Sequence, residues 1–326
     1  MKHPMQKSKM LTAIALTLFV GVFTGCSDSG TDVPDCDTID NPPTLSSDWV
    51  SFVNWDNAER VILVAHEHSD TDYSFTPEHL EFVAGKPYIL VMQTPAGNTE
   101  KQYFHAPEFF KAIATRKAQT AQGEYKAPYF DDFELLTGTN ELELYFVPVI
   151  EGHYDLICTI EGHETLGMVG EIHITCGTGL ALDLQVDRSF NSALMSDPRR
   201  SGSHAVWASA QTITLEMVET GQSDYSFSPD TLTVNAGSAY VLQITNPAAN
   251  SSKHYFTAVD FFQTLVTRKA QDGNAEIKVP YFKAVELLIG GTMELYIVPT
   301  VPGTYDFICT ITGHEEAGMV GTIIVQ

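Results

Sequence analysis

Near the end of the chain, the stretch Cys309-Thr310-Ile311-Thr312-Gly313-His314-Glu315-Glu316-Ala317-Gly318-Met319 spaces a cysteine, a histidine and a methionine five positions apart. Upstream, His254 follows a strand-like run and a turn containing Pro247. A thiolate, two imidazoles and a weak thioether are the donor set of a trigonal copper site with a long axial methionine. Soft sulfur suits Cu(I) and imidazole suits both oxidation states, so one electron passes with little rearrangement. The spacing matters because one short loop must turn Cys309, His314 and Met319 toward a single point.

The same pattern occurs earlier, because the chain is one unit written twice. A shift of 152 residues lays Tyr73-Ser74-Phe75-Thr76-Pro77 on Tyr225-Ser226-Phe227-Ser228-Pro229, and Arg116-Lys117-Ala118-Gln119 on Arg268-Lys269-Ala270-Gln271. After one deletion, residues 155–170 match residues 306–321 at 12 of 16 positions. A period this long means tandem domains, placed at residues 48–177 and 203–326 and joined by a polar linker at 178–202. The first unit keeps Cys158, His163 and Met168 but has Gln102 where His254 belongs, and His105 falls three residues later, level with Thr257. Three readings stay open there: copper held with Gln102 or His105 as substitute, a weak Cu(I) site, or a degenerate structural domain.

Each unit reads mainly as β-structure. Short alternating runs at 80–82 and 232–234 lead into turns at Gly85 and Gly237, and runs at 88–93 and 240–245 end near Pro95 and Pro247. Further strands are expected at 141–147 with 293–298, and at 171–175 with 322–325. One amphipathic helix of two or three turns is expected per unit, carrying Phe109, Phe110 and Ile113, or Phe261, Phe262, Leu265 and Val266. Many short strands in so few residues make a β-sandwich or barrel.

The residues quoted above resemble the cupredoxins, the blue copper proteins that include plastocyanin, azurin, auracyanin and rusticyanin. The resemblance implies an all-β chain of two tandem Greek-key β-sandwich domains, each with one short helix. It implies a copper held by His254, Cys309, His314 and Met319, and a variant site at Gln102, Cys158, His163 and Met168. Tyr255 stands where many of the family carry Asn or Ser beside the first histidine. His66-Glu67-His68 is a His-x-His pair of the kind multicopper oxidases use, but Ile157 and Ile308 precede the loop cysteines where copper oxidases and nitrite reductases have histidine. The pair is read as strand-end histidines, and His79, His153, His173 and His204 as surface residues. The chain is expected not to be an enzyme.

Composition bounds the partners. The 326 residues hold 41 acids against 18 Lys plus Arg, a formal charge of −23, which disfavours nucleic acid as a partner. Lys2, Lys7 and Lys9 precede an apolar run at 11–23, too short for a membrane-spanning helix. The run ends in Thr24-Gly25-Cys26, which resembles a bacterial lipoprotein signal with Cys26 as the lipidated first residue. Residues 1–25 are then the signal and 26–47 a tether, and losing three lysines takes the charge from −23 to −26. Ser27 after the cysteine favours the outer membrane, facing the periplasm, with the lipid as the membrane contact. Cys36 and Cys176 remain, and a disulfide between them suits an oxidising compartment. The leading expectation is electron transfer in the cell envelope with a basic redox partner such as a c-type cytochrome. The alternative is copper binding for delivery or resistance, which the scattered methionines do not favour.

Overall fold

The computed structural model of the chain describes residues 49–176, 191–221 and 224–326. The expected signal and tether, with Cys26 and Cys36, therefore lie outside the described residues. The first repeat opens with β1 (Glu59–Ser69), β2 (Asp72–Thr76), β3 (His79–Val83), β4 (Tyr88–Thr94) and β5 (Gln102–Phe104). After α1 (Pro107–Lys111) come β6 (Ile113–Gln119), β7 (Gly123–Lys126), β8 (Asp132–Leu135), β9 (Asn140–Pro148), β10 (Gly152–Ile157) and β11 (Val169–Thr175). A connecting turn, α2 (Ser192–Met195), precedes β12 (Gln211–Gly221), β13 (Asp224–Ser228), β14 (Thr231–Val234), β15 (Tyr240–Thr245) and β16 (His254–Phe256). The second repeat continues through α3 (Val259–Phe262), β17 (Leu265–Gln271), β18 (Ala275–Lys278), β19 (Ala284–Leu287), β20 (Thr292–Pro299), β21 (Gly303–Ile308) and β22 (Val320–Val325).

The alternation read in the sequence decides which way the strands face. In β3, Leu80 and Phe82 are buried while His79, Glu81 and Val83 are exposed, and β14 repeats this with Leu232 and Val234. The turns after these strands hold Gly85 and Gly237 at φ +81°, a left-handed conformation that glycine adopts without strain. The expected helices are shorter than their pattern implied. Ile113, Leu265 and Val266 belong to β6 and β17, because they continue apolar runs that pair with β9 and β20. α1 and α3 are single turns that seat Phe109, Phe110, Phe261 and Phe262 in the core.

The fold is two tandem β-sandwiches, and their sheets are shared. One eight-stranded sheet runs β2-β1-β4-β9-β6-β7-β19-β16, and the other β13-β12-β15-β20-β17-β18-β8-β5. Each therefore begins in one repeat and ends on a strand pair of the other. Three-stranded sheets β10-β11-β3 and β21-β22-β14 cover the opposite faces. Single bridges, His105 to Ile157 and Thr257 to Ile308, tie β5 and β16 to the strands that lead into the two cysteines. One hydrophobic core runs through both repeats.

Residues 191–202, expected as polar linker, pack onto this junction. Arg200 donates to Asp131 of the first repeat (2.8 Å) and to the carbonyls of Val279 and Pro280 of the second. Among the described residues no helix is long and apolar enough to cross a membrane.

Candidate metal centre

Strand β16 delivers His254 by pairing its backbone with Leu287 of β19. Strand β21 delivers Cys309, and the loop between β21 and β22 holds His314 and Met319. That loop is fastened to itself: Cys309 N–H donates to the Met319 carbonyl (3.0 Å), and Met319 N–H to the His314 carbonyl (2.9 Å). Gly313 and Gly318 turn it at φ +89° and +101°. The result brings three donors together, since His254, Cys309 and His314 offer ligand atoms within 4.8 Å of one another. Nδ1 of His254 is 3.1 Å from Nδ1 of His314, and Cys309 Sγ lies 3.4 Å from His314 Nδ1 and 3.9 Å from His254 Nδ1. Met319 is fully buried beside them, and His314 is the ligand with the most exposure, at 6%.

The donors fit a metal cation. His254 Nε2 faces Glu219 Oε1 at 2.9 Å, so its proton sits on Nε2 and its Nδ1 lone pair points at two other electron-rich atoms. A triangle of this size admits an ion at bond lengths of about 2.0 Å to nitrogen and 2.3 Å to sulfur. Burial would raise the Glu219 pKa, but hydrogen bonds from Ser251, Ser252 and His254 overcome it and bring it to about 2. Glu219 thus stays ionised and holds the imidazole in its ligating tautomer. Backbone N–H of Tyr255 reaches Cys309 Sγ at 3.3 Å, and Tyr225 stacks on His314 with ring centroids 3.9 Å apart.

These groups set the proton balance of metal uptake. Burial lowers His254 and His314 from their ordinary 6.5, so both are neutral at pH 7. Burial raises the Cys309 thiol above 9.0, against the lowering pull of the Ile311 and Tyr255 backbone N–H groups, so it is protonated at pH 7. Metal uptake is then expected to release one proton, the thiol's, and affinity to rise about tenfold per pH unit from pH 7 until the thiol ionises unaided. Calorimetry in buffers of differing ionisation heat counts that proton; a count of zero or two contradicts the assignment.

In the first repeat the same triangle is built with an amide oxygen. Gln102 Oε1 lies 3.1 Å from His163 Nδ1 and 3.6 Å from Cys158 Sγ, and Cys158 Sγ lies 3.5 Å from His163 Nδ1. Met168 is buried like Met319. His105 is not brought into this group, because its Nδ1 contacts Asp132 of β8. Of the two substitutes expected from sequence, geometry selects Gln102. An amide oxygen is a harder, weaker donor to copper than imidazole. Gln102→His is therefore expected to tighten copper binding in the first repeat by more than the roughly 10–100-fold that an outer partner contributes. Copper titration of the whole chain reads this; unchanged binding contradicts it.

Other sequence candidates lie elsewhere. His66 and His68 stack on each other at 5.2 Å, with Ser74 on His68 and, among the described residues, no third ligand of the compact kind. Cys176 is disulfide-bonded, and its expected partner Cys36 lies outside the described residues. Sequence reasoning missed Glu219 and Tyr225. The available signal was repetition, since Glu67 and Tyr73 occupy the same places in the first repeat and Tyr73 stacks on His163 at 3.9 Å. Tyr255, which stands where many of the family carry Asn or Ser, accepts a hydrogen bond from Lys126 across the repeat boundary (2.8 Å). Thr257 and Thr310 bring their hydroxyls within 3.4 Å of each other beside the cysteine loop.

Comparison with known proteins agrees with this geometry. Residues 214–326 match the family of copper binding proteins described as plastocyanin/azurin. A search of curated proteins finds no match. Among solved structures the chain is similar to auracyanin B, at 22% identity over 36% of this chain and 89% of that one, with a TM-score of 0.25. It is also similar to copper nitrite reductase from Nitrosomonas europaea, at 10% identity over 83% of this chain and 94% of that one, TM-score 0.28. A multicopper oxidase from Campylobacter jejuni matches at 10% identity over 83% of this chain and 64% of that one, TM-score 0.28. Likeness at this level carries no activity to this chain. It does correct the expectation of a non-enzyme: oxidases and a nitrite reductase are among the structural matches, and the exclusion of enzymes is withdrawn. The converging His254, Cys309 and His314 and the family match over the same residues make the C-terminal part of this chain, residues 214–326, a copper-binding domain of the plastocyanin/azurin family.

Proposed function

We propose that the chain is an exported copper protein of the cell envelope that carries electrons, with its principal site at His254, Cys309, His314 and Met319. The observation that supports this best is the closed, buried triangle of two imidazoles and one thiol, with Met319 buried in the same loop. When bound there, copper supplies a one-electron couple. The residues of this chain hold that donor set rigid. Glu219 fixes the His254 ring, two backbone N–H groups hold the Cys309 sulfur, and the loop hydrogen bonds keep His314 and Met319 in place. Rigidity of this kind suits electron transfer, because little has to move when the charge changes. It suits copper delivery less, since release needs the loop to open.

His314 lies nearest solvent, and Val320 beside Met319 is 43% exposed with half-buried Ala317 close by in the loop. This small apolar surface, set among Glu315 and Glu316, is the docking face proposed for a basic partner such as a c-type cytochrome. The N-terminal Cys26 would tether the carrier to the outer membrane, in the periplasm. Visible absorption with metal stoichiometry, followed by stopped-flow reduction by a basic cytochrome across a salt series, tests the reading. An intense thiolate-to-copper band and a rate that falls as salt rises support it. A colourless, readily exchanged Cu(I) would favour copper delivery, and a rate flat in salt would remove the basic partner while leaving the site intact.

A further inference from the structure

The first repeat carries a second set of metal-binding side chains, well away from its cysteine loop. On the outer face of the three-stranded sheet, the register places His153, His173 and Glu81 in one row and Asp155, Glu171 and His79 in the next. Neighbours within a row stand about 4.8 Å apart and the rows about 7 Å apart, within reach of imidazole and carboxylate side chains. His153 stacks on His173 with centroids 3.9 Å apart and planes 12° from parallel. Each imidazole presents Nδ1 to a carboxylate: His153 to Glu171 at 2.9 Å, His79 to Glu171 at 3.5 Å, and His173 to Glu81 at 3.1 Å. The hydrogen bond between His153 Nδ1 and Glu171 holds the ring proton there and leaves the Nε2 lone pair outward, the arrangement by which carboxylates prepare histidine for a metal.

The fold does not need these residues. In the second repeat the same two rows read Thr304, Ile324 and Thr233, then Asp306, Thr322 and Thr231, ordinary strand residues in the same register. Three imidazoles and two of the carboxylates are thus peculiar to the first repeat. We propose that this face is a surface site for a divalent borderline cation, zinc or copper(II), bound through His153 and His173, with His79 and Asp155 completing the shell and Glu171 holding the His153 ring from outside it. Imidazole and carboxylate together suit such ions, and neither suits Cu(I) as thiolate does. The compact three-ligand group among the described residues is the buried one of the second repeat; the surface array closes on its ion by turning exposed side chains. His153 lies five residues before Cys158, about 16 Å along the strand, so the two sites are separate.

The test uses the full chain already loaded with copper, titrated with Zn2+ by calorimetry while the visible band is followed. One zinc per chain is expected beyond the copper, with the band unchanged. H153T/H173I, which writes in the residues of the second repeat, is expected to lose that zinc by more than the roughly 10–100-fold cost of an outer partner, and H79T to weaken it less. The proposal is overturned if the double variant takes up zinc as the parent does, or if zinc is taken up only while the visible band bleaches. Absence of zinc uptake by the parent overturns it equally. The band reports the buried copper centre throughout, so the two readings stand or fall separately.

Discussion

Replacing Cys309 with serine is expected to abolish the intense visible absorption of the second repeat. It should also weaken copper there by far more than the 10–100-fold that loss of an outer partner costs. Cys309 is fully buried and its sulfur receives a backbone N–H at 3.3 Å, so serine fits the space and keeps the N–H partner. What it removes is the soft, ionisable donor, the ligand that distinguishes this copper geometry from an ordinary imidazole site. Cys158→Ser in the first repeat is the matched comparison, because Cys158 has the same burial and the same N–H from Tyr103 at 3.4 Å. Absorption spectra of both variants, each checked for folding by circular dichroism, give the result. A Cys309→Ser protein that keeps the colour while Cys158→Ser loses it would reverse the assignment of the principal site.

Gly123→Ala, a change in the first repeat, is expected to destabilise the whole chain by about 3 kcal/mol or more and to disturb the copper centre of the second. A Cβ on Gly123 would lie 1.9 Å from the Glu286 carbonyl oxygen and 2.5 Å from Met293 Cε. No rotamer relieves a clash with backbone, so β7 and β19 must part. Gly123 pairs with Leu287, and Leu287 pairs with His254, so the disturbance runs along one row of the sheet to a copper ligand. Gly97→Ala is the control, since a Cβ there meets nothing within 4 Å. Denaturant midpoints and the visible spectrum check both effects. If Gly123→Ala behaves like Gly97→Ala, the shared sheet does not couple the repeats.

The grouping of Cys309 and His314 with His254 was legible because the loop spacing is fixed locally, and because the repeat supplied a second copy for comparison. Strand positions were legible as far as alternation reached: β3, β4, β9 and β11 sit where periodicity put them. The helices were overcalled because Phe109 and Phe110 satisfy a helical face and Ile113 extends the same apolar run into β6. The junction was not legible at all. β7, β8, β18 and β19 are four-residue strands, and their pairing joins residues some 150 positions apart, a choice that tertiary packing makes. The role of Tyr255 was hidden for the same reason, since its hydroxyl accepts from Lys126 of the other repeat. The surface histidines likewise acquire meaning only from the register of β10, β11 and β3.

The pairing of β7 with β19 is the same contact as the pairing of β18 with β8, with the roles of the repeats exchanged. That is the rule of a closed two-fold dimer, in which one patch meets its own copy. Here the two copies are one covalent chain, and the linker makes their association intramolecular, at an effective concentration in the millimolar range. A dimer of identical chains cannot change one site without changing both. A chain with both copies in series can, and this one has: Gln102 faces what His254 faces, and imidazoles occupy a sheet face where the other half has threonines. Symmetry holds the assembly together at the junction, and two departures from it fall at the Gln102 position and on the outer face of the first repeat's three-stranded sheet.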